Sequence, residues 1–567
     1  MKNNMKEIEF SQANYEQWQE SAVKALKGKP FESLITKTIE GITFEPIYTQ
    51  DQLVEKLDGK LAEQVSTIRS LKTGEKCLAA QQTFADSPES LLHGVKEALA
   101  KGNDIINIDS RVDFAWDETT LKELAVLFTE NSFKLNLQNN QDSLLQVFNY
   151  IEVDQQEAVT GFVSSTDEVA LDGFPNVRTI NANVLEAHYD GAHAVQELAV
   201  ALLQAAQYME SEEDIEAFAK KFFVTFAVDT LFFVEIAKIR AFRVLWKAFT
   251  TAYGTDKNIS VAIVSETSIR SFSKLDVYVN LLRAGNAAFS AILGGADVCT
   301  VHPHDVLSVP NDKSIRIARN VQLIVKEETH VAHINDPSGG AYFIESLTAD
   351  LVKDAWALFN ALQEAGGYDT VKANGQLDAL LKETMDLRMK EVETRKKSLI
   401  GTNNYANPAD VIDERNNPLY ADYNRLAKPF EELCLNYAEN QPKVALLTIG
   451  LLKQFKPRAD FVSGFFATAG IIPEKSPEIQ SIEEATAWLA STDAQFVIVC
   501  GQDDAVKEYV PALLLDKPAH ISLDVAGRFK EEQDEWTKAG LNGFIFAGQN
   551  IIEKLTSLTA NVKEVQR

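Results

Sequence analysis

Residues 222–246 read FFVTFAVDTLFFVEIAKIRAFRVLW, the most apolar stretch of the chain. A bilayer-spanning helix needs about 20 consecutive apolar residues. Asp229, Glu235, Lys238 and Arg240 break this stretch, so it is not such a span. Its two halves have different rhythms. Residues 222–228 are one continuous run rich in Phe and Val, which suits a strand buried on both faces. From 231 to 253 apolar residues recur every three or four positions, which suits a helix. A doubly buried strand followed by a helix is the repeating unit of a parallel sheet covered by helices.

The same unit recurs on both sides of this stretch. Short runs of Val, Ile, Phe and Leu, bounded by Asp, Asn or Gly, fall at 77–84, 104–108, 133–137, 158–163, 177–184, 259–264 and 296–301. Amphipathic helices are expected between most of them, at 88–100, 117–131, 142–151, 191–209 and 275–293. Eight strands alternating with helices predict a (β/α)8 TIM barrel. Further helices are expected at 314–326, 348–364 and 377–397. Residues 401–418 carry five Asn and two Pro without a period, and open a linker that ends near Gln441. After it the rhythm changes. Strands at 443–449, 496–500, 520–525 and 544–547 alternate with helices and predict a smaller flavodoxin-like, doubly wound domain. The expected division is an N-terminal arm (1–35), a barrel (36–400), a linker (401–441) and a C-terminal domain (442–567). In the arm, Tyr15, Trp18, Ala22 and Leu26 lie on one face of a helix expected over 11–26, stopped by Gly28 and Pro30.

At 567 residues the chain is long enough for two or three domains. Lys plus Arg total 55 and Asp plus Glu 82, a formal charge of -27. So acidic a surface repels phosphate backbones and anionic lipid, which argues against nucleic-acid and membrane partners. The start of the chain lacks the apolar core of a signal peptide, and a cytoplasmic location is expected. Cys77, Cys299, Cys434 and Cys500 are far apart with no CxxC, so free thiols are expected rather than disulfides or a cysteine zinc site.

Local motifs say little. His302 and His304, and His330 and His333, have spacings that could serve a metal, but such pairs are common by chance and no metal site is expected. The glycines of 336–340 could approach a phosphate, yet they lack the strand–loop–helix order of a phosphate loop. Gly294-Gly295 reads equally well as a helix stop. No GxSxG, Walker loop or GxGxxG occurs.

Longer segments carry more. Thr38-Ile39-Glu40-Gly41-Ile42 with Pro46-Ile47-Tyr48-Thr49, then Gly191-Ala192 with Gln196-Glu197-Leu198-Ala199, resemble the TPEGI…PLYT and GA…QELA segments of the adenosylcobalamin-dependent acyl-CoA mutases. Residues 232–246 are similar to the family's FF.EIAK.RA.R.LW helix. Thr267-Ser268, Asp276, Tyr278, Asn280 and Arg283 resemble its TS…D.Y.N..R segment, and residues 316–320, Glu327-Glu328 and 336–342 the stretch that follows. The resemblance is to the methylmalonyl-CoA mutase family. It implies the barrel and the flavodoxin-like domain, and chemistry that uses cobalamin.

The family's site residues do not carry over. Its cobalt is held by the His of a DxHxxG loop. Aligned on Arg458, the Asp is Gln454, the His is Lys456 and the Gly is Ala459. A protonated Lys has no lone pair for cobalt. The SxL that lines the nucleotide tail is replaced by Cys500-Gly501-Gln502, and the GG is replaced near Asp524-Val525-Ala526-Gly527, so a filled tail slot is expected. Thr67 stands where the family has its active-site Tyr, and Glu186 where it has its active-site His. The segment touching acyl-CoA has no counterpart in 155–180, and HTN aligns with Cys299-Thr300-Val301. No catalytic or cofactor-binding residue is therefore expected on this chain. This pattern resembles the family's small (beta) subunit type, which implies a heterodimer with a large (alpha) catalytic subunit carrying adenosylcobalamin. It also implies a barrel interior filled by bulky groups. The alternative is an acyl-CoA-binding or scaffold protein of the same fold without a mutase partner.

Overall fold

The computed structural model describes residues 14–565, except 75 and 441, as a mixed α/β chain with several parallel sheets. Two strands near the start, β1 (Thr36–Lys37) and β2 (Thr43–Phe44), form a small antiparallel pair. Then come β3 (Leu78–Ala79), β4 (Gln82–Thr83), β5 (Ile106–Asp109), β6 (Phe133–Asn136), β7 (Gly161–Ser164), β8 (Val177–Arg178), β9 (Ile180–Asn183), β10 (Phe222–Val228), β11 (Ala262–Thr267) and β12 (Val298–Thr300). They make two parallel five-stranded sheets, ordered β3-β12-β11-β10-β9 and β4-β5-β6-β7-β8. The expected runs at 77–84 and 177–184 are each two strands, one in each sheet, so the sheets are continuous through the chain at both ends. At the first junction the ladder is interrupted, and the Asn103 side chain completes it, accepting from Gln81 N at 2.7 Å and donating to Gln81 O at 3.2 Å. The expected helix at 142–151 is a 3₁₀ helix, Ser143–Tyr150, and a helix at Ile215–Lys221 was not anticipated.

Side-chain direction alternates with period two, though every residue of β10 is buried. On β10, Phe222, Val224, Phe226 and Val228 face the surrounding helices and form the main core with Trp246 and Phe242. Phe223 turns the other way and meets Ala80, Ile105, Ala262, Val264 and Val298 in a second, smaller cluster. Trp246 stacks on Phe222 at 4.8 Å, and its indole donates to Ile259 O at 3.0 Å. The charges that interrupt this stretch are all buried in ion pairs: Lys238 with Glu197 and Glu235, Arg240 with Asp336 and Glu345, Arg243 with Asp297, and Asp229 with Arg270. No helix of the described residues is long and apolar enough to cross a membrane.

The last strands are β13 (Val444–Thr448), β14 (Glu474–Lys475), β15 (Phe496–Cys500), β16 (Ser522–Ala526) and β17 (Gly543–Ile545), all parallel in the order β14-β13-β15-β16-β17. Alternate residues pack on opposite faces. Val444, Leu446, Ile498 and Ala526 meet Phe455, Phe465 and Phe466, while Ala445, Leu447, Val499 and Val525 meet Leu489, Val510 and Trp536. The stretch expected to be linker is irregular only in part. Lys428–Asn440 is a helix whose Phe430, Leu433 and Tyr437 enter the first of these cores, and Tyr437 donates to Leu555 O at 2.8 Å. Near the start, the helix Tyr15–Ala25 has no buried residue, and the part of the expected helix at 11–13 lies outside the described residues.

Candidate functional site

Ligand sites of parallel α/β sheets lie beyond the carboxyl ends of the strands. At the carboxyl ends of β9 to β11, Glu186 sits on the short helix Leu185–Tyr189 and points outward, 68% exposed and 3.0 Å from Lys372. Two residues on, His188 turns inward and is fully buried. Positions two apart on a helix face different ways, which separates the two. The His188 Nδ1 lies 2.7 Å from Glu197 Oε1, and Nε2 lies 2.7 Å from Ser268 Oγ. This is the geometry of a serine–histidine–carboxylate relay, yet every member is buried and already committed. Ser268 Oγ accepts from Arg270 N at 3.1 Å, and Glu197 is also 2.7 Å from Lys238 Nζ. Arg270 grips Asp229 at 2.7 Å and donates to His188 O and Ala192 O, and Arg388 donates to Gly191 O and Ala192 O. The network therefore clamps the 188–192 turn.

Burial, and then the Arg270 charge, push the His188 imidazole down to about 4 from 6.5. Burial acts to raise the Glu197 carboxyl, but Lys238 and His188 outweigh it and hold the group ionised. Burial pushes Glu235 up to about 7. Unfolding lets His188 regain its ordinary affinity for a proton. Its contribution to stability, about 3 kcal/mol, is full above pH 6.5 and is lost as pH falls toward 4. Urea midpoints measured from pH 7.5 to 4.5 are expected to fall, and to fall less steeply in a His188→Phe variant. Parallel pH curves for the two proteins would exclude His188 as the cause.

The inner faces of the two sheets carry a small apolar cluster with polar groups beyond it. Phe162 and Phe223 meet at 5.2 Å. Above them, Lys134 lies 3.4 Å from Glu266, whose carboxylate Lys134 and His302 hold at about 2 against the upward push of burial. Asn107 donates to Ala80 O at 2.8 Å and to Thr300 Oγ1 at 3.1 Å. Tyr420, from the segment joining the two halves, donates to Gln82 Oε1 at 2.7 Å and lies 3.5 Å from His302 Nδ1, and Tyr423 stacks on Tyr189 at 4.0 Å. Thr67 is half-buried within the Leu61–Ser70 helix. His304 stacks on Tyr278, and His330 and His333 share one 3₁₀ turn, with ring centres 6.0 Å apart. Among the described residues no three His, Cys, Asp or Glu side chains gather as a metal ion requires.

Two glycine motifs resolve as structural. Gly295 ends the Val279–Gly294 helix at φ 87°. In the 336–340 turn, a Cβ on Gly339 would come within 2.4 Å of the Asp336 carboxylate that holds Arg240, and Gly340 N donates to Glu345 at 2.8 Å. That turn is a clamp on Arg240.

In the C-terminal half, Gln454, Lys456 and Ala459 lie inside the first turns of the Leu452–Ala467 helix. Gln454 Oε1 accepts from Leu451 N at 2.7 Å, and its amide donates to Gln502 at 3.3 Å. The Lys456 ammonium lies 2.6 Å from Asp460, one helical turn on. Ala459 is fully buried against the sheet. Arg458 donates to Gly501 O at 2.6 Å and contacts Asp503. Cys500 is buried, which pushes its thiol up to about 12. Asp524 pairs with Lys554 at 2.6 Å, and burial raises its carboxyl. These residues do not fit the lower face of a cobalamin. Lys456, which the resemblance aligns with the cobalt ligand, is an ammonium on a helix, paired with Asp460.

The sequence reading missed the His188–Glu197–Lys238 network and the Lys134–Glu266 pair. The available signal was a charge inside an otherwise apolar strand or helix, which has to be buried with a partner.

The family described as methylmalonyl-CoA mutase matches residues 150–437. The chain is 28% identical to the methylmalonyl-CoA mutase small subunit of Porphyromonas gingivalis, over 96% of this chain and 97% of that one. It is 30% identical to a probable methylmalonyl-CoA mutase small subunit of Mycobacterium bovis, over 68% of this chain and 65% of the relative. It is 29% identical to the small subunit of Propionibacterium freudenreichii subsp. shermanii, over 67% and 62%. With half of its length matched by the family and a relative aligned along 96% of it, the chain belongs to the methylmalonyl-CoA mutase family.

Proposed function

We propose that this chain is the small, non-catalytic subunit of an adenosylcobalamin-dependent methylmalonyl-CoA mutase, paired with a large subunit that interconverts methylmalonyl-CoA and succinyl-CoA. On this reading the two sheets joined at 78–83 and 177–183 are one closed (β/α)8 barrel. The 2-1-3-4-5 sheet that follows is a flavodoxin-like domain of the cobalamin-binding type that has lost its ligand. The observation that carries the proposal is the Leu452–Ala467 helix. The stretch that would form the cobalt-ligand loop is wound into helix, with Lys456 paired to Asp460. The Phe162–Phe223 contact between the two sheets and the outward Glu186 support the same reading.

Titrating the purified chain with adenosylcobalamin is expected to give no base-off spectral shift at micromolar concentration. Adding the large subunit should then give mutase activity that tracks the large subunit alone in cofactor content. A base-off spectrum from the isolated chain, or turnover without its partner, would overturn the proposal.

A further inference from the structure

The C-terminal half holds a pocket to which the proposed function gives no role. It is an open cleft of about 430 Å³ at the carboxyl ends of β16 and β17, beside the early turns of the Leu452–Ala467 helix. Its walls are mostly apolar, with Pro457, Phe461, Ile545 and Phe546 contributing, and two guanidinium groups border it. Arg458 is committed to Gly501 O and Asp503. Arg528 is not. Its guanidinium carbon lies 4.3 Å from the centre of the Phe546 ring, and among the described residues it has no carboxylate or hydrogen-bond partner.

Two features make Arg528 more than a surface charge. Although the chain carries 82 acidic and 55 basic residues, no described carboxylate pairs with Arg528. Arg528 also lies over the Phe546 ring with its N–H donors uncommitted among the described residues, and a guanidinium with free donors can receive a carboxylate or phosphate by two parallel bonds. The turn that presents Arg528 depends on Gly527 at φ 129°. A Cβ there would come within 3.0 Å of Phe529 and 3.1 Å of Arg458. Pockets with apolar walls and one directed polar group bind small organic molecules, and the charge fixes their orientation.

We infer that this pocket binds an amphipathic organic anion, with its flat apolar body between Pro457, Phe461, Ile545 and Phe546 and its oxyanion on Arg528. Both a carboxylate and a phosphate ester have the required head group.

The test uses the full chain and the fluorescent probe 8-anilinonaphthalene-1-sulfonate, with 1-naphthoate, 1-naphthyl phosphate and neutral 1-naphthalenemethanol as competitors. One saturable site is expected, displaced by at least one anion at concentrations where the alcohol is inert. The stronger anion identifies the head group. Arg528→Gln should weaken probe binding about tenfold or more, and Ala547→Trp, which fills the rim, should abolish it. Both positions are exposed, so unchanged melting temperatures should accompany both losses. Equal binding by the Arg528→Gln chain, or equal competition by the alcohol, would overturn the inference. So would displacement of the probe by adenosylcobalamin with a base-off spectrum, since the pocket would then hold part of that cofactor.

Discussion

Replacing Arg240 by methionine should destabilise the chain by about 3–5 kcal/mol, a large fraction of the stability of most domains. The side chain is fully buried. Its Nε and Nη2 donate to the two oxygens of Asp336 at 2.8 and 3.0 Å, Nη2 also reaches Glu345 at 2.6 Å, and Nη1 reaches Thr348 at 3.1 Å. Methionine fills much of the same volume but strands two buried carboxylates. Asp336 sits at φ 55°, a conformation that its bonds to Arg240 help to maintain. Lysine should fall between the two, because one ammonium cannot match the fork. Urea denaturation of the wild type, Arg240→Met and Arg240→Lys gives the order directly. Adding Asp336→Asn and Glu345→Gln to the methionine variant should recover part of the loss. A methionine variant within about 1 kcal/mol of wild type would show that the clamp contributes little.

Removing residues 1–28 should cut recovery of the large subunit in co-purification at least tenfold while leaving the remaining chain folded. On the described part of this arm, Tyr15 and Trp18 are only half-buried. Their rings meet at 5.5 Å, Trp18 touches Phe31 at 6.2 Å, and Tyr15 reaches Glu45 at 3.4 Å. No residue of the Tyr15–Ala25 helix is buried by its own chain. A helix this short is marginal unless packed, and truncating aromatic anchors at interfaces commonly costs ~2 kcal/mol or more. Trp18→Ala alone should therefore give most of the effect. Full-strength pairing by the truncated chain would assign assembly to another surface.

The strand and helix alternation was legible because the periods of two and 3.6 are written in the apolar residues themselves. Phe222–Val228 matches the expected strand at both ends. The division of 77–84 between two sheets was not legible, because Asn103, 22 residues on from Gln81, replaces ladder bonds there with side-chain bonds. Strand β14 was missed since Glu474–Lys475 is a short, exposed edge with no apolar signal. Among the site residues, Glu186 lies at the surface and Lys456 within a helix. The helix itself was legible from its apolar spacing, expected over 452–469 and found at Leu452–Ala467 despite Pro457. The inward turn of His188 needed the partners Glu197 and Ser268, which lie 9 and 80 residues away.

The pairing of β3 with β12 sets a clock on biosynthesis. Leu78 finds its partner at Val298, 220 residues later. At about 5–20 residues per second, a ribosome takes roughly 10–45 s to cover that distance. Throughout that interval the first strand has an unpaired edge, and one half of the fold waits for the other. Edges left open for so long invite pairing with other nascent chains. The cell's chaperone capacity should therefore limit the yield of this subunit more than its final stability does, and slower translation upstream of residue 298 should lower the soluble fraction.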